Sequence, residues 1–140
     1  WTYAGNYDIA LPCATQNEIN GEAANRLVAQ GVKVVSEGAN MPSDLDAINV
    51  YKENGILYGP AKAANAGGVA VSALEMSQNS QRLSWTREEV DGRLKDIMTN
   101  IFNTAKTTAE TYGLGKDYLA GANIAAFENV ANAMIAQGLV

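Results

Sequence analysis

The fold of this chain is decided by residues 32–60, which read VKVVSEGANMPSDLDAINVYKENGILYGP. A β-branched run at 32–35 comes first, a helical pattern follows, and a short apolar run at 56–58 comes near the end. Strand, helix and strand in this order are typical of a βαβ unit, in which the two strands lie parallel and the crossover is right-handed. We therefore predict a parallel sheet.

Cap residues mark the ends of the predicted helices. Ser43 is predicted to start the helix of this unit, with Asp46 three residues later as its capping-box partner and Gly55 as its stop. Upstream, Asn20 and Gly31 frame another helix by the same kind of signal. The chain thus contains two successive predicted crossover helices.

A third strand is predicted at the start of the chain, where the run at 7–11 is ended by Pro12. The second half is predicted to be helical, over 67–81, 86–112 and 123–137. The middle helix has the clearest apolar period of 3.6 residues, and Thr86 and Glu89 form a capping box at its start, while Gly113 ends it. These elements together define an α/β chain.

Composition excludes several classes of function. The 140 residues are 47% apolar and 18% charged, which fits one soluble globular unit. The net charge of −5 and the scattered basic residues argue against nucleic-acid binding, and no apolar run approaches the roughly 18 residues of a membrane span. The chain has no histidine, which excludes a Ser-His-Asp site and leaves no metal site to predict. Cys13 is the single cysteine, which favours the reducing cytoplasm.

Ligands of open parallel sheets bind beyond the carboxyl ends of the strands, so three segments form the candidate site. We name them the first loop (12–17, PCATQN), the second loop (37–42, EGANMP) and the third loop (59–68, GPAKAANAGG). Small residues allow a ligand to approach the backbone, and amide or hydroxyl groups can bond it. The plain alternative is that these are ordinary turns. Their common position at the ligand side favours a site.

The end of the third loop, Asn-Ala-Gly-Gly at 65–68, is predicted to open a helix whose free N–H groups suit a polar or anionic ligand group. Val69 and Ser72 lie one turn further and are expected at the same mouth. The dinucleotide fingerprint G-x-G-x-x-G is absent, because Gly113 and Gly115 follow a helix and lack the third glycine.

Three other loop residues have open roles. Lys62 is the only cation in the three loops, and we expect it to meet either an acidic group of a ligand or a neighbouring carboxylate. Glu37 is either a ribose contact or an exposed or packed carboxylate, and the latter is more common. Cys13 is expected to be a small packed residue, because this chain holds no histidine partner for a nucleophile.

Segments spread over nearly the whole chain carry a resemblance to a known family: DIALPCATQN (8–17), EGANMP (37–42), KAANAGGVAVS (62–72), LEMSQN (74–79), LSW (83–85) and GANIAAF (121–127). Together they resemble the carboxyl-terminal part of bacterial hexameric glutamate dehydrogenases. The resemblance implies the second half of a Rossmann-like parallel-sheet coenzyme domain, followed by C-terminal helices. It assigns 1–82 to a partial Rossmann-like NAD(P)-binding region and 83–140 to a C-terminal helical segment packed on it.

The family oxidatively deaminates L-glutamate to 2-oxoglutarate and ammonia and passes a hydride to NAD or NADP. The implied cofactor-binding residues are Ala14, Thr15, Asn40 and Asn65, and the implied substrate-binding residues are Val69 and Ser72. No catalytic residue falls in this chain, because the family's catalytic lysine, its partner aspartate and the pyrophosphate loop lie in an amino-terminal part. The chain alone is therefore expected to be inactive.

Two other interpretations remain open. A leucine or phenylalanine dehydrogenase would share the fold, although the runs at 65–72 and 75–79 favour the glutamate branch. A non-enzymatic helical module could use the amphipathic helix at 86–112 to bind a partner, but it would not need three aligned loops. The full enzyme is expected to be a hexamer, whereas the exposed sheet edge of this chain predicts a dimer.

Overall fold

The computed structural model describes residues 1 and 4–138; the predicted segments 1–82 and 83–140 also include residues 2, 3, 139 and 140, which lie outside this description. The strands are β1 (Ile9–Ala10), β2 (Val34–Ser36) and β3 (Leu57–Gly59). The helices are α1 (Gly21–Ala29), α2 (Leu45–Glu53), α3 (Ala61–Ala64), α4 (Ala66–Gln81), α5 (Arg87–Thr111) and α6 (Tyr118–Gln137).

The three strands form one parallel sheet in the order β1-β2-β3, which confirms the predicted α/β fold. Ile9 is paired with Val34, and Val34 in turn with Leu57. β1 and β2 are shorter than their predicted apolar runs, whereas β3 has the length of its run and is shifted by one residue. All three carboxyl ends therefore lie at one edge of the sheet, where the first, second and third loops begin.

A core of small and β-branched residues joins the sheet to α1 and α2. Its buried members are Ala10, Ile19, Ala23, Ala24, Leu27, Val32, Val35, Ala47, Tyr51 and Tyr58. Side chains alternate between the two faces of a strand. Accordingly Val35 belongs to this core, whereas its neighbours Val34 and Ser36 line cavities shared with α6.

The predicted cap of α2 is wrong by one residue. Asp44, not Ser43, caps the helix, and its Oδ1 accepts a hydrogen bond from the Ala47 N–H at 2.8 Å. Ser43 is buried instead, and its Oγ lies 3.2 Å from the Tyr51 hydroxyl. Both residue types are good caps. Burial of the Ser43 hydroxyl against Tyr51 leaves the cap position to Asp44.

The other caps agree with the sequence pattern. Asn20 accepts from the Ala23 N–H at 2.9 Å, and Thr86 and Glu89 form the predicted capping box of α5. Gly113 takes a left-handed φ of 70° just after that helix, as a stop requires. These helix ends were predicted correctly because each depends only on residues that are close together along the chain.

Two features of the helical half differ from the prediction. The four-residue α3 was not predicted, because one turn gives no period to detect. α6 begins at Tyr118 rather than near 123, and Asp117 caps it by accepting from the Ala120 N–H. The first residues of α6 are nearly all small or apolar, so their pattern does not show where the helix begins. None of the helices in 4–138 combines the length and apolar character that a bilayer crossing requires.

α5 and α6 pack through small residues. Gly121 of α6 is buried, and a Cβ added there would collide with the Ala105 carbonyl oxygen of α5 and lie 3.0 Å from the Ala109 Cβ. Ala105 and Ala109 are themselves buried. The two helix backbones therefore approach each other more closely at Gly121 than any larger residue would allow.

Candidate functional site

The first and second loops are joined by backbone hydrogen bonds. The N–H groups of Gly38 and Ala39 both donate to the Pro12 carbonyl, at 2.9 and 3.2 Å. Further along the loops, the Asn17 N–H donates to the Met41 carbonyl at 2.9 Å. The two loops therefore form one surface beyond the carboxyl ends of β1 and β2.

The second and third loops are joined by Asn65. Its side-chain Nδ2 donates to the Ala39 carbonyl at 3.0 Å and to the Asn40 Oδ1 at 2.8 Å. The structure thus brings Asn40 and Asn65 together, although 25 positions separate them along the chain. Both hydrogens of the Asn65 amide are used, so its own Oδ1 and the Asn40 amide nitrogen are the groups left for a ligand.

Glu37 is a packed carboxylate rather than an exposed one, with 1% of its surface accessible. Its Oε1 accepts from the Ser43 N–H at 3.0 Å. Its Oε2 accepts from the Tyr58 hydroxyl at 2.7 Å and from the Ala61 N–H at 2.8 Å. Sequence reasoning identified the residue but not this role, because its partners are spread over the second loop, β3 and α3.

Ala14 and Thr15 are held by a neighbouring carboxylate. Their N–H groups donate to the Glu18 Oε1 at 3.0 and 3.3 Å, and the Trp1 indole donates to its Oε2 at 3.1 Å. Burial opposes the ionisation of Glu18, but these hydrogen bonds together outweigh it and hold the pKa of the carboxyl below its ordinary value. The first loop is therefore shaped by an ionised side chain that follows it.

The predicted open helix start at 65–68 is corrected by the structure. α3 precedes α4 with only Asn65 between them, and the Asn65 N–H donates to the Ala61 carbonyl at 2.9 Å. The Gly68 N–H is also bonded, to the Asn65 carbonyl at 3.3 Å. The N–H groups at this point are thus partly used within the chain. The helix start that does receive an anionic group is that of α3, where Glu37 reaches Ala61.

Val69 and Ser72 lie on the first turns of α4, and both are exposed. They are three positions apart, so they share one face of the helix. Val69 is 72% accessible. The structure places this face just after the third loop, but neither residue lines the cavity described next.

An open cavity of about 850 Å³ lies beside the Asn40 and Asn65 pair. The second and third loops and the starts of α2 and α6 form its walls. Lys62 lies at its rim, and its Nζ donates to the Asn123 Oδ1 of α6. Of the two alternatives for Lys62, the pairing with a neighbouring carboxylate does not occur among the described residues, because the partner is an amide. A cavity of this size lies within the range of small-ligand sites.

Cys13 differs from its expected packed state, because the free thiol is exposed. Its Sγ nevertheless lies against Gly38, where an added Cβ would fall 2.5 Å from the sulfur. Gly38 is thus required by the close approach of the first loop. Within the described residues, no group of three or more His, Cys, Asp or Glu side chains could hold a metal ion.

Tyr51 and Tyr58 form a buried pair beneath the site, with ring centroids 5.5 Å apart. Burial raises the pKa of Tyr51 to about 12; the charges of Glu37 and Asp44 act in the same direction, and the Ser43 hydrogen bond acts against it. Burial also raises the pKa of Tyr58, and its hydrogen bond to the Glu37 carboxylate adds to this. Both hydroxyls are therefore protonated throughout the neutral range.

This pair predicts a loss of stability in alkali. Because the folded pKa of Tyr51 exceeds the unfolded value, its contribution is complete below about pH 10 and is lost as the pH rises toward 12. We expect the free energy of unfolding to fall over this interval, and to fall less in Tyr51→Phe. Denaturant unfolding at a series of pH values measures both. Tyr7→Phe, which alters an exposed ring, is the matched control, and an equal pH dependence in all three proteins would contradict the prediction.

These observations define an α/β protein with a candidate ligand site at the carboxyl ends of a parallel sheet, where paired amides lie beside a cavity. The sequence model of the Glutamate/Leucine/Phenylalanine/Valine dehydrogenase family matches residues 1–138. The chain therefore belongs to the Glutamate/Leucine/Phenylalanine/Valine dehydrogenase family.

Named relatives agree with this assignment. The chain is 58% identical over 138 residues to the NADP-specific glutamate dehydrogenase of Giardia intestinalis, covering 99% of this chain and 31% of that protein. It is 59% identical over 133 residues to the NAD(P)-specific glutamate dehydrogenase of Xylanibacter ruminicola, covering 94% and 30%. The solved structure of Plasmodium falciparum glutamate dehydrogenase superposes with a TM-score of 0.90 at 54% identity, over 95% of this chain and 29% of that one. The chain thus spans about a third of the length of these relatives.

Proposed function

We propose that this chain is the carboxyl-terminal part of a bacterial hexameric glutamate dehydrogenase. The complete enzyme oxidatively deaminates L-glutamate to 2-oxoglutarate and ammonia and passes a hydride to NAD or NADP. The observation that carries the proposal is the Asn40 and Asn65 pair beside the cavity, in a chain of this dehydrogenase family. Named relatives with more than 50% identity are glutamate dehydrogenases, which supports glutamate over leucine as the substrate.

The residues present fit the nicotinamide coenzyme. The pair leaves two side-chain groups for a ligand, the Oδ1 of Asn65 and the NH₂ of Asn40. A carboxamide, which has one NH₂ and one carbonyl oxygen, is complementary to such a pair. When bound, the coenzyme supplies the hydride acceptor. Ala14 and Thr15 complete the proposed coenzyme contacts, and their backbone N–H groups are held by Glu18.

The proposed substrate contacts are Val69 and Ser72, with the Ser72 hydroxyl as a donor to the side-chain carboxylate of glutamate. Both side chains are exposed on the first turns of α4, so they are free to contact a substrate. Lys62 is held by Asn123, so we assign it no catalytic part. The catalytic lysine and aspartate and the pyrophosphate loop are proposed to lie elsewhere in the complete enzyme, and the chain by itself to be inactive.

We divide the chain into a partial Rossmann-like coenzyme region, 1–82, and a helical segment, 83–140. The long helices α5 and α6 pack on each other, which supports the second unit.

We also propose a cytoplasmic enzyme. Ile9 and Leu11 at the β1 edge are 58% and 59% exposed, which supports a dimer of the isolated chain through that edge.

The test is turnover by the full-length protein. We expect NADH or NADPH to form with L-glutamate, at a rate far above that with L-leucine, and no product from the present chain alone. The absorbance of the reduced coenzyme measures each rate. Turnover of leucine with glutamate ignored would assign the protein to another branch of the family. No turnover of either amino acid would overturn the enzyme proposal.

A further inference from the structure

Glu37 is a buried carboxylate that no cation neutralises within residues 4–138. It takes part in no salt bridge there, and its accessible surface is 1%. Its charge is balanced instead by three hydrogen-bond donors, the Ser43 N–H, the Tyr58 hydroxyl and the Ala61 N–H. Burying a charge is costly unless such partners are present, so these three donors are what stabilises Glu37 in its buried position.

The three donors come from separate elements that surround the site. Ser43 stands where the second loop enters α2, Tyr58 lies in β3, and Ala61 is the first residue of α3. One side chain of the second loop therefore fixes the entry of the third loop. Neither loop has another side chain that reaches so many parts of the site.

A series of hydrogen bonds then links Glu37 to the paired amides. Glu37 accepts from the Ala61 N–H, and the Ala61 carbonyl accepts from the Asn65 N–H at 2.9 Å. The Asn65 side chain returns to Ala39 and Asn40, which lie in the same loop as Glu37. The orientation of Asn65 thus depends on the position of α3, which Glu37 holds.

We propose that Glu37 is a positioning residue, which fixes α3 and through it sets Asn65 against Asn40 for the coenzyme. The inference rests on the proposed function, because the coenzyme role of the two amides belongs to it. We assign Glu37 no contact with the coenzyme or the substrate, because only 1% of its surface is accessible. Its effect is to keep the side-chain Oδ1 of Asn65 and the side-chain NH₂ of Asn40 in the geometry that a carboxamide needs.

Glutamine cannot replace Glu37 here. A carboxylate accepts at both oxygens, and all three of its partners here are donors. The amide of glutamine offers one oxygen and one NH₂, so its NH₂ must face at least one N–H or O–H donor. A buried donor is then left without an acceptor, and α3 is expected to shift.

The test is carried out in the full-length enzyme with Glu37→Gln, Asn65→Ala and Tyr58→Phe, and with the two double variants that combine Asn65→Ala with each of the others. We expect Glu37→Gln to raise the KM for the coenzyme about tenfold and to change the KM for glutamate much less. In the double-mutant cycle, Glu37→Gln is expected to add little to Asn65→Ala, because one residue acts through the other. Asn20→Ala removes the cap of α1 and is the matched control, which lowers the thermal midpoint and leaves the coenzyme KM unchanged.

Tyr58→Phe removes one of the three donors and leaves the other two, so it tests the inference if Glu37→Gln does not fold. Its expected effect is about threefold on the coenzyme KM, again without addition to Asn65→Ala. A wild type that oxidises glutamate, with effects of Glu37→Gln and Asn65→Ala that simply multiply, would overturn this inference alone. The inference would also be overturned if Glu37→Gln lowered the thermal midpoint and left the coenzyme KM unchanged. A wild type that does not bind the coenzyme would overturn both the inference and the proposed function.

Discussion

Gly121→Ala is expected to lower the free energy of unfolding by about 3 kcal/mol or more. The added methyl group would collide with the Ala105 carbonyl oxygen and lie 3.0 Å from the Ala109 Cβ. The obstructing oxygen belongs to the backbone of a long helix, so it cannot turn aside as a side chain would. α6 must therefore move away from α5, and the contact between their small residues is lost.

Gly92→Ala is the matched control for this change. Gly92 also lies in a helix, α5, but no atom comes within 4 Å of a Cβ added there. Alanine favours a helix interior over glycine by about 0.5–1 kcal/mol, so this variant should be more stable than wild type. Denaturant unfolding followed by circular dichroism measures both. If Gly121→Ala were as stable as wild type, α5 and α6 would not pack as closely as described.

Ser72→Ala is expected to lower kcat/KM for L-glutamate in the full-length enzyme by a factor of about 10 to 100. This corresponds to roughly 1–3 kcal/mol, which is typical for the loss of one hydrogen bond to a charged group. The exposed hydroxyl stands on the first turns of α4, next to the third loop. Since the proposed partner is the substrate carboxylate, the coenzyme KM should change little.

Ser77→Ala provides the control for this second change. Ser77 is also exposed on α4, but five positions further along it lies on a different face of the helix. Its replacement should leave kcat/KM for glutamate unaltered, as measured by reduced-coenzyme formation over a range of substrate concentrations. If Ser72→Ala retains kcat/KM within about twofold of wild type, the substrate contact is assigned to the wrong residue.

The sequence predicted the parts of this fold that depend on local signals. Asn20 and Thr86 cap their helices as expected, because each bonds a residue three positions away. The cap of α2 was assigned wrongly, because the Ser43 side chain is buried against Tyr51, and this contact belongs to the tertiary structure. α6 has the predicted apolar residues, yet Phe127 is 71% exposed. A pattern reveals an apolar face but does not reveal what covers it.

The same distinction applies to the site. The rule that parallel sheets bind ligands at their carboxyl ends placed Asn40 and Asn65 on one side, and the structure brings them into contact. The hydrogen bonds of Glu37 could not be predicted from the sequence, because the Ala61 donor lies 24 positions away and is a backbone group. Backbone donors carry no sequence signature. The residues that shape a site are for this reason harder to recognise than those that face it.

The short connection between α5 and α6 has a consequence for the order of folding. Only residues 112–117 separate these two helices, so their contact at Gly121 closes a small loop at little cost in chain entropy. The sheet must instead pair Val34 with Leu57, 23 positions apart, and Ile9 with Val34, 25 positions apart. Contacts between distant parts of a chain form slowly. We therefore expect the helical hairpin to form quickly and the sheet, with its three loops, to form slowly.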